Sequence, residues 1–137
     1  MQEHNLGVPP GLIKRILTYV MLILILGQFV SVGLAKVKKN SNSDGGDQGS
    51  YLQLGLEIKE RKALTDGNRY PLYPALISLF AERKWAYFSK SKLLSLALGV
   101  MTLLVIFALI REMYGDEVAF LTTLLLGVNE EFSYRCS

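Results

Sequence analysis

This sequence is short of the residues that most metal and thiol chemistry needs, with one cysteine, Cys136, and one histidine, His4. A lone cysteine excludes an internal disulfide and a cysteine-based metal cluster. A lone histidine in a polar N-terminal tail leaves no material for a histidine dyad or a His-rich metal site. Lys and Arg outnumber Asp and Glu by 15 to 12. These cations flank apolar stretches or spread along the segment between them, with no aromatic-interleaved groove, so nucleic acid is not an expected partner. Charge is missing altogether from two long stretches. From Ile16 to Ala35 no residue is charged, and Gln28 is the one strongly polar side chain. From Leu93 to Ile110 charge is again absent, and Ser95 and Thr102 are the hydroxyls.

At a helical rise of about 1.5 Å per residue these stretches reach roughly 27–30 Å, the hydrocarbon thickness of a bilayer. Both therefore predict transmembrane helices. The first has a second reading as a cleaved signal peptide, with Lys14-Arg15 in front and Gly33-Leu34-Ala35 as a small-x-small site. Its apolar run is longer than a typical signal core, which favours a retained anchor. Gly27 with Ser31, and Ser95 with Gly99, are small residues four apart, a spacing that lets another helix approach closely. A third apolar run, Val118 to Val128, is too short to cross.

The boundaries that follow are a tail over 1–11, a first span over 12–35, a loop over 36–92, a second span over 93–111 and a partial third span over 116–137. The fold class expected is an all-α membrane protein with two to three transmembrane helices and a long first loop carrying short interface helices. Lys36, Lys38 and Lys39 read as a collar that meets lipid phosphates. Counting Lys and Arg puts the loop in the cytoplasm, but at this length the counting rule loses force.

Within the loop, residues 40–50 are rich in Ser, Asn, Asp and Gly, and Asp44-Gly45-Gly46-Asp47-Gln48 predicts a turn. Tyr51–Arg61 has Tyr51, Leu52, Leu54, Leu56 and Ile58 on one arc and Gln53, Glu57, Glu60 and Arg61 on the other. This predicts an amphipathic helix lying in the membrane interface, with Glu57 and Arg61 spaced for an ion pair. Asp47 could cap that helix, or Ser50 could do so in a capping box with Gln53, leaving Asp47 free. Pro71 and Pro74 force an extended or turning backbone, and Pro74 can open a short helix over Ala75–Phe80. Lys84, Trp85, Tyr87, Phe88, Lys90 and Lys92 read as an aromatic and basic belt at the membrane surface.

The residues open to chemical duty are few. Asp47 is a candidate base, Arg69 a candidate phosphate ligand through its planar fork, and Tyr73 a candidate substrate contact. Asp44 reads as a solvated turn residue. Each also has a plain structural reading as cap, exposed loop cation or interface anchor.

The order of elements carries a resemblance. A span is followed by Asp47-Gln48-Gly49-Ser50-Tyr51-Leu52-Gln53-Leu54-Gly55-Leu56, and then by Asn68-Arg69-Tyr70-Pro71-Leu72-Tyr73-Pro74. A second span closes on Arg111-Glu112-Met113-Tyr114-Gly115, and Asp116-Glu117-Val118-Ala119-Phe120-Leu121 opens a third. This resembles the N-terminal part of the C-type polytopic membrane glycosyltransferases, of the protein mannosyltransferase and aminoarabinose transferase kind. The resemblance implies transfer of a sugar from a polyprenyl-phosphate carrier to an acceptor hydroxyl, with inversion and with the loop outside the cytoplasm, in a bacterial inner membrane. It implies Asp47 as general base, Arg69 near the leaving phosphate, and no metal, nucleotide or tightly held cofactor. Gln48 stands where many members have Glu, so a second acid there is missing. The family's bundle is larger, so the chain is expected to be a fragment whose remaining helices a separate chain would supply. The alternative is a small non-catalytic membrane protein that uses its first loop as an interaction surface.

Overall fold

The computed structural model describes residues 10–39 and 47–136. Helices make up most of these segments: α1 Pro10–Lys39, α2 Gln48–Lys59, α3 Leu72–Ser78, α4 Trp85–Tyr114, α5 Asp116–Gly127 and α6 Glu130–Arg135. Asp44 and His4 lie outside the described residues. Two helices, over Gly11–Lys39 and Ala86–Tyr114, are long and apolar enough to cross a membrane.

Both extend beyond the boundaries read from hydropathy. α1 carries the Lys36, Lys38, Lys39 collar as its last turn, where cations suit the negative end of the helix dipole. α4 takes in the aromatic and basic belt as its first turns. Charge marks where a helix leaves an apolar environment, and it does not by itself end the hydrogen-bond ladder.

α1 and α4 pack antiparallel. Leu22 meets Phe107 at one end, and Phe29 meets Leu96 and Leu103 towards the other. The chain reverses at Gly115, whose φ of 87° is open to glycine and strained for other residues. α5 then returns beside α1, with Ala119 beside Leu22 and Leu126 beside Phe29. Asp116 and Glu117 occupy its first turn, where acids suit the helix dipole. The third apolar run does not stop at Val128, because α6 prolongs its course and brings Phe132 to 5.6 Å from the Phe29 ring. An Asn129 side-chain oxygen accepts the Phe132 N–H at 2.9 Å and restarts the helix after the break.

The small-residue pairs divide. A Cβ on Gly27 would meet nothing within 4 Å, and Ser31 turns its hydroxyl back to the Gly27 carbonyl at 2.8 Å. Gly33 instead makes the close approach, directly under Leu96. In α4, Gly99 faces Cys136 and Phe29, while Ser95 serves a different neighbour, Tyr73.

α2 and α3 form a second layer on the N-terminal half of α4. Ile77, Ala81 and Tyr87 are its buried centre, and Tyr51, Leu52, Leu56, Tyr73 and Leu94 pack around them. The loop helix begins at Gln48, earlier than Tyr51, so Ser50 lies inside it and is not its cap. Asp47 takes the cap position with helical backbone angles, and its carbonyl accepts the Tyr51 N–H at 3.1 Å. The Glu57–Arg61 pair does not form. Arg61 has a φ of 57° at the helix end, where the Lys62 N–H bonds the Glu57 carbonyl at 2.9 Å and the Arg61 N–H bonds that of Ile58 at 3.1 Å. This is a Schellman ending with arginine in the place usually given to glycine. Glu57 accepts from Gln53 instead, at 2.8 Å. α3 starts at Leu72, earlier than Pro74, because a proline in the first turn forfeits only an N–H that has no helical partner.

Candidate functional site

The space between α2, α3 and α4 is a cavity of about 410 Å³. Asp47 and Gln48 stand at the start of α2 on its border, and Tyr51 and Leu52 line the next turn. Tyr73 and Ile77 project from α3, while Phe88, Ser91, Lys92 and Ser95 come from successive turns of α4.

Asp47 reaches the cavity because its side chain makes no cap bond to the helix it precedes. Its carboxylate, with the side chain 76% exposed, accepts a hydrogen bond from Arg69 Nη2 at 2.7 Å. Arg69 is brought there by a preset loop. Asp66 Oδ1 accepts the backbone N–H groups of Asn68 and Arg69, each at 3.0 Å, and its other oxygen pairs with Arg69 Nη1. Thr65 Oγ1 accepts the Gly67 N–H at 3.1 Å and donates to the Arg69 carbonyl at 3.2 Å. The Asn68 N–H, then the Arg69 guanidinium and N–H, hold the Asp66 carboxyl below its usual range. Asp47 and then Asp66 raise the pKa of the Arg69 guanidinium still further, so it is a fixed cation between two anions.

The aromatic residues continue this chain of contacts inward. Arg69 Cζ lies 5.4 Å from the centre of the Tyr51 ring, a cation–π distance, and Tyr51 meets Tyr73 edge to face at 5.7 Å. Tyr73 Oη and Ser95 Oγ are 2.7 Å apart, and Ser95 Oγ donates in turn to the Ser91 carbonyl at 3.2 Å. Burial raises the Tyr73 pKa above its ordinary value, so its phenol stays protonated across the physiological range.

The three residues singled out in the sequence thus occupy one region. Asp47 and Tyr73 line the cavity directly, whereas Arg69 braces Asp47 from behind with two of its nitrogens engaged. Its Nε is buried without a hydrogen-bond partner.

Lys92 is the residue that reading the sequence as a belt misses. It is 6% exposed, its Nζ lies 5.0 Å from the Phe88 ring centre, and no described carboxylate pairs with it. The signal was its place within the α4 pattern, one turn after Phe88 and between Ser91 and Ser95. Lys90, two residues earlier, points outward and pairs with Glu82.

Chemically, the cavity offers a carboxylate at its border, the hydroxyls of Tyr73, Ser91 and Ser95, and an ammonium, Lys92, on the same helix as the two serines. Among the described residues no three His, Cys, Asp or Glu side chains gather as a metal site requires.

At the far end of the bundle, Arg111 binds Asp116 at 2.7 Å and the Tyr19 hydroxyl at 2.7 Å, and Lys14 pairs with Glu117 at 3.0 Å. These bonds tie α1 to the α4–α5 corner and engage the groups that line the hollow there.

No family model matches the chain, and comparison with curated proteins and with solved structures likewise finds no match.

Proposed function

We propose that this protein is a membrane glycosyltransferase of the C type, with Asp47 as the general base of sugar transfer from a polyprenyl-phosphate carrier. The acceptor hydroxyl oxygen attacks the anomeric carbon and forms the new glycosidic bond. The carbon–oxygen bond to phosphate breaks on the opposite face, and its electron pair leaves with the polyprenyl phosphate. The acceptor proton passes to the Asp47 carboxylate. Arg69 fixes that carboxylate in place, and Tyr73 shapes the wall against which the substrate rests.

The observation that carries this reading is the meeting of Asp47 and Tyr73 on one cavity, joined through Arg69 and Tyr51, from segments that the sequence separates. A membrane setting is supported by the outer faces of α1 and α4. Ile23 and Leu24 are 67% and 66% exposed, and Val105, Leu109 and Met101 are exposed on α4. Leaving such side chains in water forgoes about 1.5–3 kcal/mol each relative to full burial, a penalty that lipid removes. α2, α3 and α4 wall the cavity on one side and leave it open elsewhere, so the proposal includes further helices, on this or a partner chain, to enclose the carrier.

The test is transfer from a polyprenyl-phosphate sugar in reconstituted membranes, together with labelling of residues 47–84 from each side. Asp47→Asn should abolish turnover, and the loop should label from outside the cytoplasm. Retained turnover in that variant, or labelling from the cytosol, rules the base out.

A second reading is a non-catalytic membrane protein whose α2–α3 layer is an interaction surface. It is favoured by the ion pair that already occupies Asp47, because a carboxylate held by arginine also serves as a purely structural tie.

A further inference from the structure

Among the described residues, no anion balances the charge of Lys92. The residue is 6% exposed, and among the described residues no carboxylate or hydrogen-bond acceptor engages its ammonium. Among the described residues, its attraction is to the Phe88 ring, 5.0 Å away. A buried cation without a counter-charge is unfavourable unless an anion arrives to pair with it. The other charge facing the same cavity, Asp47, is already offset by Arg69 at 2.7 Å, so it does not fill that role and repels an incoming anion less. The hydroxyls beside Lys92 are committed: Ser91 Oγ donates to the Phe88 carbonyl at 2.8 Å, and Ser95 Oγ to the Ser91 carbonyl. The ammonium, with up to three N–H donors, is the cation on this cavity left to pair with an anion.

A second observation says what kind of anion. Next to this polar cavity lies a groove of about 400 Å³ that shares Tyr51 and Tyr73 as its wall and is otherwise lined by Tyr70, Leu72, Leu76 and Leu98. Leu72 is 73% exposed and Leu98 39%, so the groove is an open apolar strip that begins where the charged cavity ends.

We propose that Lys92 is the anion-binding residue of a head-and-tail site, in which the phosphate of an amphiphile pairs with Lys92 and its hydrocarbon chain lies along Leu72, Leu76 and Leu98. This deepens the proposed function and rests on its choice of cavity, although binding needs no chemistry to follow. Lys acts here as a compact point charge suited to a phosphate approached from one side.

The experiment is equilibrium binding to the full chain in neutral detergent micelles, followed by ³¹P NMR. The probes are hexadecyl phosphate, inorganic phosphate and hexadecanol. The wild-type protein should bind hexadecyl phosphate more tightly than either fragment of it. Lys92→Gln should weaken that binding by about tenfold or more, the scale of one lost charge-assisted contact. Lys92→Arg should restore most of it, which separates loss of charge from loss of fold. Lys90→Gln, which removes an outward cation, should change nothing. Leu98→Asp should weaken hexadecyl phosphate and leave inorganic phosphate unaffected. Equal binding by wild type and Lys92→Gln would overturn the proposal. Inorganic phosphate matching hexadecyl phosphate would reject the amphiphile and identify a soluble phosphate as the ligand. Asp47→Asn should keep the phosphate binding while losing sugar transfer, so failure of one proposal is read separately from failure of the other.

Discussion

Asp47 and Arg69 stand 22 residues apart in the chain and 2.7 Å apart in space, and this contact ties the start of α2 to the loop ahead of α3. The arginine side chain is 17% exposed and the aspartate 76% exposed, so the pair sits half in solvent. A half-exposed pair is worth little in isolation, and its value lies in orientation.

A double-mutant cycle with Asp47→Asn and Arg69→Gln should therefore show little coupling in thermal unfolding. Arg69→Gln should still lower any transfer activity strongly, because the carboxylate loses its brace. A large coupling in stability would instead mark the pair as a structural tie.

Acid should loosen the loop layer before the helical bundle. Lys62 and then Arg83 lower the Glu60 pKa from 4.5 to about 2, and the Asn68 N–H and Arg69 lower that of Asp66. A carboxylate whose folded pKa is depressed adds stability above its unfolded pKa and loses it as pH falls towards the folded value. Protection factors at residues 57–69, corrected for the intrinsic exchange rate, should thus fall between about pH 4.5 and about pH 2, while those in the apolar middle of α1 and α4 hold. Both groups are solvent-exposed, so about 1 M salt should flatten much of the effect. Uniform protection throughout this window would contradict the assignment.

Tyr87 carries a hydroxyl that is buried without a hydrogen-bond partner, and a Cβ on Gly55 would overlap it. Tyr87→Phe removes an unpaired polar group and should stabilise the α2–α3 layer by about 1 kcal/mol. Gly55→Ala should destabilise the layer, and Tyr87→Phe should rescue that variant in thermal melts. Additive effects of the two changes would show that the residues do not touch.

The two glycines of α1 should behave oppositely. Gly27 faces open space, so Gly27→Ala should be neutral or gain about 0.5–1 kcal/mol of helix stability. Gly33 lies under Leu96, so Gly33→Ala should cost about 1–3 kcal/mol through overpacking, recovered in part by Leu96→Ala. Melting curves in detergent decide between this register and one centred on Gly27.

The long helices were legible because their apolar runs are long and free of charge. Their true ends were not, because Lys36–Lys39 and Trp85–Lys92 keep helical hydrogen bonds while changing solvent. The Gly27-x-x-x-Ser31 spacing marks a face of α1 that no described helix covers. Periodicity shows that small residues are in line but cannot say which line meets a neighbour, and here Gly33 does. In the loop, the composition of α2 was readable. Its start was not, since Asp47 caps through its carbonyl and sends its side chain to Arg69. That partnership depends on the Asp66 turn and lies beyond any local pattern. Lys92 was hidden for a similar reason: beside Lys84 and Lys90 it looked like one more surface cation, and only tertiary packing buries it to 6% exposure.

The cluster around Ile77 and Tyr87 shares no buried member with those around Phe29 or Leu22. α4 is the common beam, bolted to the helical hairpin along one side and to the loop layer along another. Damage to either package should therefore stay local, and a variant that unseats α2 and α3 should leave a seated three-helix trunk that is blind to phosphate.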